Sequence, residues 1–356
     1  MTTEPSATTP VLLAPDNFTP LTRTPWAGKV ITQNLKKQIL PPTTQKKVGE
    51  SWEFSCDPAF PSKIHQQNTS IDSQIRQNPE DFLSPALKSH KTSQILIKLL
   101  NAAEPLSLQV HPRDDDPCLL GHECGKPESW LILECEPGAG LYVGFQQAWS
   151  KEDIRKAISA GKAKELFQFI PVKPMDYFEI MPGVPHAIGA GITLLEPQRV
   201  LPGKTGKTCR FWDWDRTYDS TGHVCPKGSP RELHLEDSLR IVTPELHTGK
   251  DFLNSIIKQP KKTHYGNNKV LSWPRNDHYQ VHRIEVTTQI QYNLDNGYGI
   301  VTATDGALTI NNAQNQSCTL PKGQTAMLPW ASFPLCFSGK AEAVIVTPSL
   351  SNSQWQ

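Results

Sequence analysis

Hydrophobic and polar residues alternate along many short stretches of this chain, and residues 106–111 show the pattern most clearly. The stretch reads Leu-Ser-Leu-Gln-Val-His, so its three apolar residues fall on one face of an extended chain. Successive side chains of a strand point to opposite faces of a sheet, so Ser107, Gln109 and His111 share the other face. The pattern predicts a strand that buries one face and presents three polar groups on the other.

Two stretches depart from this alternation and predict helices. Residues 150–170 begin with Ser-Lys-Glu-Asp, a capping-box-like start, and continue with apolar residues at helical spacing. A second helical stretch falls within residues 233–256. From about residue 265 to 348 the chain shows strand and turn signals throughout. Many short strands of this kind predict a mainly β fold, either a sandwich or a closed barrel, with helical insertions.

The same patterns divide the chain into three expected units. Residues 1–24 are rich in Thr, Pro and Ser and are expected to form a loose arm. Residues 25–255 should form a larger β unit that carries both helical insertions, and residues 262–352 a smaller barrel. His282 is the last histidine of the sequence. The smaller barrel is therefore expected to bind no metal of its own.

Composition excludes several classes of partner. The formal net charge is only +1, which gives no support to nucleic-acid binding. No stretch approaches the ~20 apolar residues that span a bilayer, and the first residues lack a basic leader followed by an apolar run. The eight cysteines are scattered along the chain, as is typical of reduced thiols rather than a disulfide framework. We therefore expect a cytoplasmic protein without membrane or nucleic-acid partners.

Four polar residues have the chemistry of metal ligands. Gln109 and His111 share a strand face, Glu128 immediately precedes a predicted strand, and His186 follows a Pro-Gly turn that resembles the second histidine motif of cupins. Two imidazoles, one carboxylate and one amide oxygen suit zinc or a similar divalent ion, and leave room for a water or a substrate oxygen. The sequence thus predicts a catalytic rather than a structural metal site, with one zinc per chain.

Five longer motifs extend this reading to a family. They are LSLQVHP (106–112), GKPES (125–129), PGVPHAIGAGITLLEPQ (182–198), CRFWDWDR (209–216) and PRELHLEDSL (230–239). Together they resemble the class I mannose-6-phosphate isomerases of the cupin superfamily, in particular their shorter bacterial branch. The resemblance implies two cupin (jelly-roll) β-barrels and a zinc-dependent aldose-ketose isomerase of carbohydrate metabolism, which interconverts mannose 6-phosphate and fructose 6-phosphate through an enediolate. It also implies the four zinc ligands named above.

The resemblance further implies roles for several residues around the metal. Arg210 corresponds to the family's catalytic arginine, although the loop over 197–209 is longer and more basic than the family pattern. Arg199 therefore remains an alternative. The chemistry requires a proton carrier, for which Glu196 is the first candidate, with Lys126 and a metal-bound water as alternatives. The substrate-binding candidates are Ser107, Lys98 and Lys126.

Two other functions stay open at this stage. One is a different metallo-cupin enzyme, such as an iron dioxygenase, although such sites usually use a third histidine. The other is a non-catalytic sugar-phosphate-binding cupin. The expected ligand is in either case a small molecule, and the sequence leaves open whether the protein is a monomer or a homodimer.

Overall fold

The computed structural model describes residues 7–44 and 46–356, which form mainly short antiparallel strands. The first part of the chain carries β1 (Val11–Leu12), β2 (Glu50–Phe54), β3 (Ile95–Ala102), β4 (Leu108–Val110), β5 (Glu123–Cys124), β6 (Glu128–Cys135), β7 (Gly140–Phe145), β8 (Phe167–Pro171), β9 (Tyr177–Ile180), β10 (His186–Ile188), β11 (Ile192–Arg199) and β12 (Thr205–Gly206). The second part carries β13 (Cys209–Trp212), β14 (Thr217–Tyr218), β15 (Ser229–Pro230), β16 (Lys261–Tyr265), β17 (Asn268–Ser272), β18 (Tyr279–Val286), β19 (Gln289–Leu294), β20 (Gly299–Asn312), β21 (Ser317–Pro321), β22 (Thr325–Leu328), β23 (Leu335–Pro348) and β24 (Ser353–Trp355).

The helices are short. They are α1 (Ile71–Gln77), α2 (Pro79–Leu83), α3 (Lys151–Ser159), α4 (Leu235–Ile241) and α5 (Gly249–Ile256), with single turns of 3-10 helix at Lys88–His90, Ala163–Leu166 and Trp330–Ser332 and a π-helical turn at Ile31–Leu35. Ser150 caps α3 by accepting a hydrogen bond from the backbone N–H of Asp153, as its sequence predicted. α1 and α2 were not predicted, because helices of seven and five residues are too short to show a helical period.

Two five-stranded antiparallel sheets form the larger β unit. The first has the order β2-β3-β11-β6-β9 and the second has the order β13-β4-β10-β7-β8. Buried apolar residues from both sheets, among them Leu100, Trp130, Leu141 and Ile188, share one core cluster. The pairing of the described strands gives open sheets. The mainly β prediction is confirmed, whereas closure of either unit into a jelly-roll barrel stays a prediction.

The nine C-terminal strands, β16 to β24, form a ten-stranded sheet together with β1, and this sheet packs directly on the larger unit. Its own core includes Ile284, Ile310, Phe337 and Ile345. A second core cluster joins the two units, because Trp273 of the C-terminal part stacks on Tyr177 of β9. No helix among residues 7–44 and 46–356 has the length and apolar character needed to cross a membrane.

The loose arm predicted for residues 1–24 is wrong from residue 11 onward, and residues 1–6 lie outside the described residues. Val11 and Leu12 form β1, which pairs with Met327 and Ala326 of β22. Val11 and Leu13 are buried and belong to the shared core. A Pro- and Thr-rich composition suggested a free segment, but the Val-Leu-Leu run at 11–13 carries enough apolar surface to be held by a sheet edge.

Candidate metal centre and substrate cavity

Three neighbouring strands place Gln109, His186 and Arg210 side by side. Gln109 of β4 pairs with His186 of β10 on one side and with Arg210 of β13 on the other. His111 follows Gln109 by two residues, so both side chains leave the strand on one face. Local alternation and antiparallel pairing therefore bring together residues that are up to 101 positions apart in sequence (210 minus 109).

The apolar face of this segment differs in one respect from the prediction. Leu108 and Val110 are fully buried in the cluster beneath α3 and α4, as the alternation predicted. Leu106 instead joins the core between the sheets and lines the cavity described below. The reason is that β4 begins only at Leu108, so strand alternation does not extend back to Leu106.

Glu128 reaches the same point from the other sheet. It is the first residue of β6 and lies opposite Gln198 of β11. One carboxylate oxygen of Glu128 lies 3.4 Å from Nε2 of His111, and the other lies 3.3 Å from Nε2 of His186. The amide nitrogen of Gln109 lies 3.3 Å from the same atom of His186. The structure thus brings the four predicted ligands together.

Backbone carbonyls fix the orientation of both imidazoles. Nδ1 of His111 lies 3.0 Å from the carbonyl oxygen of Lys207, and Nδ1 of His186 lies 2.9 Å from that of Val184. A carbonyl only accepts hydrogen bonds, so each Nδ1 carries the hydrogen and donates it. Each Nε2 then carries a lone pair, and each lies within 3.4 Å of the Glu128 carboxylate. This arrangement of the second ring nitrogen is the usual one for histidines that bind metals.

The charges of the cluster also suit a cation. Burial and the nearby positive charge of Lys126 lower the pKa of His111 to about 3. Its imidazole is therefore neutral at pH 7. Burial likewise lowers the pKa of His186. Burial alone would raise the pKa of Glu128, but Lys126 and the histidines hold it well below its ordinary value. The cluster therefore offers two neutral imidazoles and one carboxylate at neutral pH.

Two buried atoms of the cluster lack a protein partner, and they test whether a metal fits. Nε2 of His111 and Oε1 of Glu128 have no hydrogen-bond partner among the described residues. Buried polar atoms without partners are rare, because each costs about 1–3 kcal/mol. The amide of Gln109 can present its oxygen to the same point by a rotation that exchanges its two polar atoms. The residues present thus fit a divalent cation.

A cavity of about 340 Å³ opens beside the cluster. Five of the predicted site residues line it, namely Lys98, Ser107, Gln109, Lys126 and Arg210. Its wall carries six cationic side chains against three carboxylates. The cations are Arg23, Lys98, Lys126, Lys207, Arg210 and Arg231, and the carboxylates are Glu50, Asp57 and Glu123. This balance favours an anionic ligand.

Glu196 is the one predicted catalytic residue that does not line this cavity. It is buried in β11 beside the metal cluster and is not part of the cavity wall. The indole N–H of Trp130 donates a hydrogen bond of 3.0 Å to its carboxylate, and Nζ of Lys98 lies 3.4 Å from it. Burial, and secondarily the charge of Glu128, raise the pKa of Glu196 to about 7.

The two candidate arginines have different surroundings. Arg210 lines the cavity, donates to the hydroxyl of Ser107 at 3.2 Å and donates to the carbonyl oxygen of Glu232 at 2.7 Å. Arg199 makes two hydrogen bonds of 2.9 and 2.6 Å to the carboxylate of Asp114 and is not part of the cavity wall. The geometry therefore favours Arg210 as the active-site arginine, despite the long loop before it.

Sequence reasoning missed several residues of the site. Arg23 was assigned to the arm, yet it lies over the ring of Trp52 in the cavity wall. Arg231 belongs to the PRELHLEDSL motif, so a signal for it existed. Gln198 donates a hydrogen bond of 2.6 Å to Glu128, a contact between two strands that only the sheet register reveals.

A buried His-Glu-His cluster gathered from two β-sheets, at the side of a polar cavity, fits a cupin-type protein with a candidate metal centre. Comparison with known sequences points in the same direction as the motifs. The catalytic-domain profile of type I phosphomannose isomerases matches residues 23–125. This part of the chain is therefore similar to that catalytic domain, in agreement with the resemblance of the motifs.

Curated relatives carry the similarity beyond the matched domain. The chain is 29% identical over 311 residues to a probable mannose-6-phosphate isomerase of Bacillus subtilis. This match covers 85% of this chain and 90% of the relative. It is 33% identical over 223 residues to a mannose-6-phosphate isomerase of Streptococcus mutans. That match covers 61% of this chain and 64% of the relative.

Solved structures share the fold over nearly the full length. The mannose 6-phosphate isomerase of Bacillus subtilis superposes with a TM-score of 0.77 at 22% identity, and the match covers 95% of this chain and 99% of that one. A mannose 6-phosphate isomerase bound with zinc and yttrium superposes with a TM-score of 0.70 at 14% identity, covering 97% and 100%. At these identities the likeness concerns the fold.

Proposed function

We propose that this protein is a zinc-dependent mannose-6-phosphate isomerase, which interconverts mannose 6-phosphate and fructose 6-phosphate. The observation that carries the proposal is the buried cluster of His111, Glu128 and His186 beside a cavity whose wall has more cationic than anionic side chains. The match to the family profile and the names of the relatives support the same activity. All eight cysteines are free thiols, which supports a cytoplasmic location.

Gln109, His111, Glu128 and His186 would hold one zinc ion. When bound, zinc would act as a Lewis acid that polarises the carbonyl group of the open-chain sugar. The unpartnered Nε2 of His111 and Oε1 of Glu128 support this assignment, as does the zinc-bound structure of a relative in fold. Gln198 would hold the carboxylate of Glu128 in place through its 2.6 Å hydrogen bond.

The reaction moves a proton between two neighbouring carbons. A proton leaves C2 of the aldose and returns at C1, a second proton moves between the two oxygens, and an enediolate lies between. A carboxyl group with a pKa of about 7 can accept and return a proton at neutral pH. We assign this role to Glu196, which would act together with Lys98, because Lys98 contacts its carboxylate and lines the cavity.

The remaining cationic groups would bind the sugar phosphate. Lys98, Lys126, Lys207 and Arg231 each lie within 4.0 Å of a carboxylate. Among the described residues, no such carboxylate accompanies Arg23 or Arg210. These two guanidinium groups are therefore available for the phosphate and for the negative charge that develops on the enediolate. Ser107, which accepts a hydrogen bond from Arg210, would orient that guanidinium and contact the sugar.

The decisive experiment is a coupled assay of the purified protein with mannose 6-phosphate, before and after treatment with a chelator. We expect isomerase activity that the chelator abolishes and that added zinc restores. Binding of the sugar phosphate without turnover would instead identify a non-catalytic cupin. Full activity of a metal-free preparation would contradict the zinc assignment.

A further inference from the structure

Tyr279 of the C-terminal sheet reaches the back of the catalytic sheet. Tyr279 is the first residue of β18, and it is fully buried in the core that the two units share. Its hydroxyl donates a hydrogen bond of 2.9 Å to the carbonyl oxygen of Pro197 on β11. The same hydroxyl lies 3.0 Å from Oγ of Ser129 on β6, from which it accepts. A single phenol thus bridges two neighbouring strands.

The bridged point is a weak place in the sheet. β11 is the central strand of the order β2-β3-β11-β6-β9, where a proline is unusual because it lacks an N–H for the neighbouring strand. Pairing between β11 and β6 is present at Leu195↔Leu131 and at Gln198↔Glu128, and it lapses at the two positions between them. Tyr279 bonds to both strands within this gap.

The gap lies directly behind the proposed catalytic groups. Pro197 stands between Glu196 and Gln198, and Ser129 follows Glu128. Side chains alternate along a strand, so Pro197 and Ser129 face the shared core while their neighbours face the metal cluster. A shift of β6 relative to β11 at this point would move the carboxylate of Glu128 away from its donor Gln198, and away from Glu196.

We propose that Tyr279 is a positioning residue of the isomerase site, whose hydroxyl fixes β6 against β11 and so sets the geometry of Glu128 and Glu196. The inference rests on the proposed function for its kinetic consequence and gives the C-terminal unit a part in catalysis. Burial raises the pKa of Tyr279 well above its ordinary value, so the phenol keeps its hydrogen and remains a donor.

The test is Tyr279→Phe, which removes only the hydroxyl, compared with Tyr292→Phe as a matched control. Tyr292 is also fully buried in the C-terminal sheet, and its hydroxyl lies 3.2 Å from Oγ of Ser353, away from the catalytic sheet. For Tyr279→Phe we expect kcat to fall roughly tenfold and zinc to be lost to a chelator roughly tenfold faster, the lower end of the effect of removing groups that orient metal ligands. KM should change little.

A structural role alone would lower the melting temperature of both variants and leave kcat and zinc retention as in the wild type. That result for Tyr279→Phe would overturn the proposal. A decrease in kcat or in zinc retention that is larger than in Tyr292→Phe would support the proposal. Should Tyr279→Phe fail to fold, Ser129→Ala removes the partner on β6 and is expected to produce the same losses. A wild-type protein without isomerase activity would contradict the proposed function but not the role of Tyr279. Zinc retention in Tyr279→Phe would still test that role.

Discussion

Lys98 and Glu196 lie opposite each other on β3 and β11 and form a buried ion pair, of which only Lys98 lines the cavity. Nζ of Lys98 lies 3.4 Å from the carboxylate of Glu196 and 4.0 Å from that of Glu50. One amine is therefore shared between two buried carboxylates, and it does not fully offset the cost of ionising Glu196. The pair thus connects a carboxyl group of raised pKa to the cavity.

The activity should depend on the ionisation of Glu196. The ionised form is the proton acceptor, so kcat/KM should fall as the pH drops through the pKa of this group. That pKa is about 7 without a metal, and the positive charge of bound zinc will lower it. We expect the acidic limb of the pH profile to lie between the ordinary carboxyl pKa and 7. A profile flat from pH 5 to 8 would contradict this role.

Glu196→Gln should remove the proton carrier while keeping a hydrogen-bond acceptor for Trp130. We expect kcat to fall by about 100-fold or more, since general acid–base catalysis commonly contributes that much. Zinc content, measured by elemental analysis, should stay near one per chain. Glu179→Gln is the control, because Glu179 lies on β9 in an ion pair with Lys258 and outside the cavity wall. Equal kcat in the two variants would exclude Glu196 as the proton carrier.

His111→Ala and His186→Ala should each abolish zinc binding and nearly all activity. Either change removes one of the two neutral imidazoles that would hold the ion, and three ligands at most remain. Zinc per chain should fall from about one to near zero after brief dialysis. The exposed His264 on β16 offers a control, and His264→Ala should retain its metal. Retention of zinc by both site variants would place the metal elsewhere.

Arg210→Ala should lower kcat far more than Arg199→Ala. Removal of a group that stabilises transition-state charge typically costs about 100- to 1,000-fold in kcat. Arg199 is paired with Asp114 away from the cavity wall, so its loss should appear mainly as a lower melting temperature. Zinc content should remain unchanged in Arg210→Ala. The opposite ranking of kcat values would transfer the role to Arg199.

Arg23→Ala should weaken binding of the phosphate group. A charge-assisted hydrogen bond contributes about 1.5–3 kcal/mol, which corresponds to roughly a 10- to 100-fold rise in KM for mannose 6-phosphate. Inhibition by inorganic phosphate should weaken in parallel, while kcat changes less. Arg76→Ala on α1 is the control, since Arg76 pairs with Asp72 on its own helix. An unchanged KM in Arg23→Ala would remove this residue from the phosphate site.

The residues of the candidate metal cluster could be chosen from the sequence because they follow from local alternation and from motifs. Alternation placed Gln109 and His111 on one face, and motif resemblance added Glu128 and His186. The contacts that complete the site follow from the register of distant strands. Gln198 reaches Glu128 across 70 positions of sequence, and no local pattern predicts such a pairing. Glu196 was selected by motif, but its contact with Lys98, which lines the cavity, appears only in the fold.

The arm and the C-terminal sheet were harder to predict for a related reason. A strand of two residues, such as β1, carries no periodic signal, and its partner β22 lies at the other end of the chain. Arg23 was missed with the arm. Tyr279 gave no sign of its contact with Pro197, because nothing near it in sequence resembles a site.

The pairing of β1 with β22 constrains the order of events on the ribosome. Val11 leaves the exit tunnel about 300 residues before Met327, its partner. At about 5–20 residues per second, this interval lasts roughly 15–60 s. During that time β1 lacks its partner strand β22, although Leu13 can already pair with Ile64. The first-made strand of the ten-stranded sheet is thus paired with that sheet only after about 300 further residues have been synthesised.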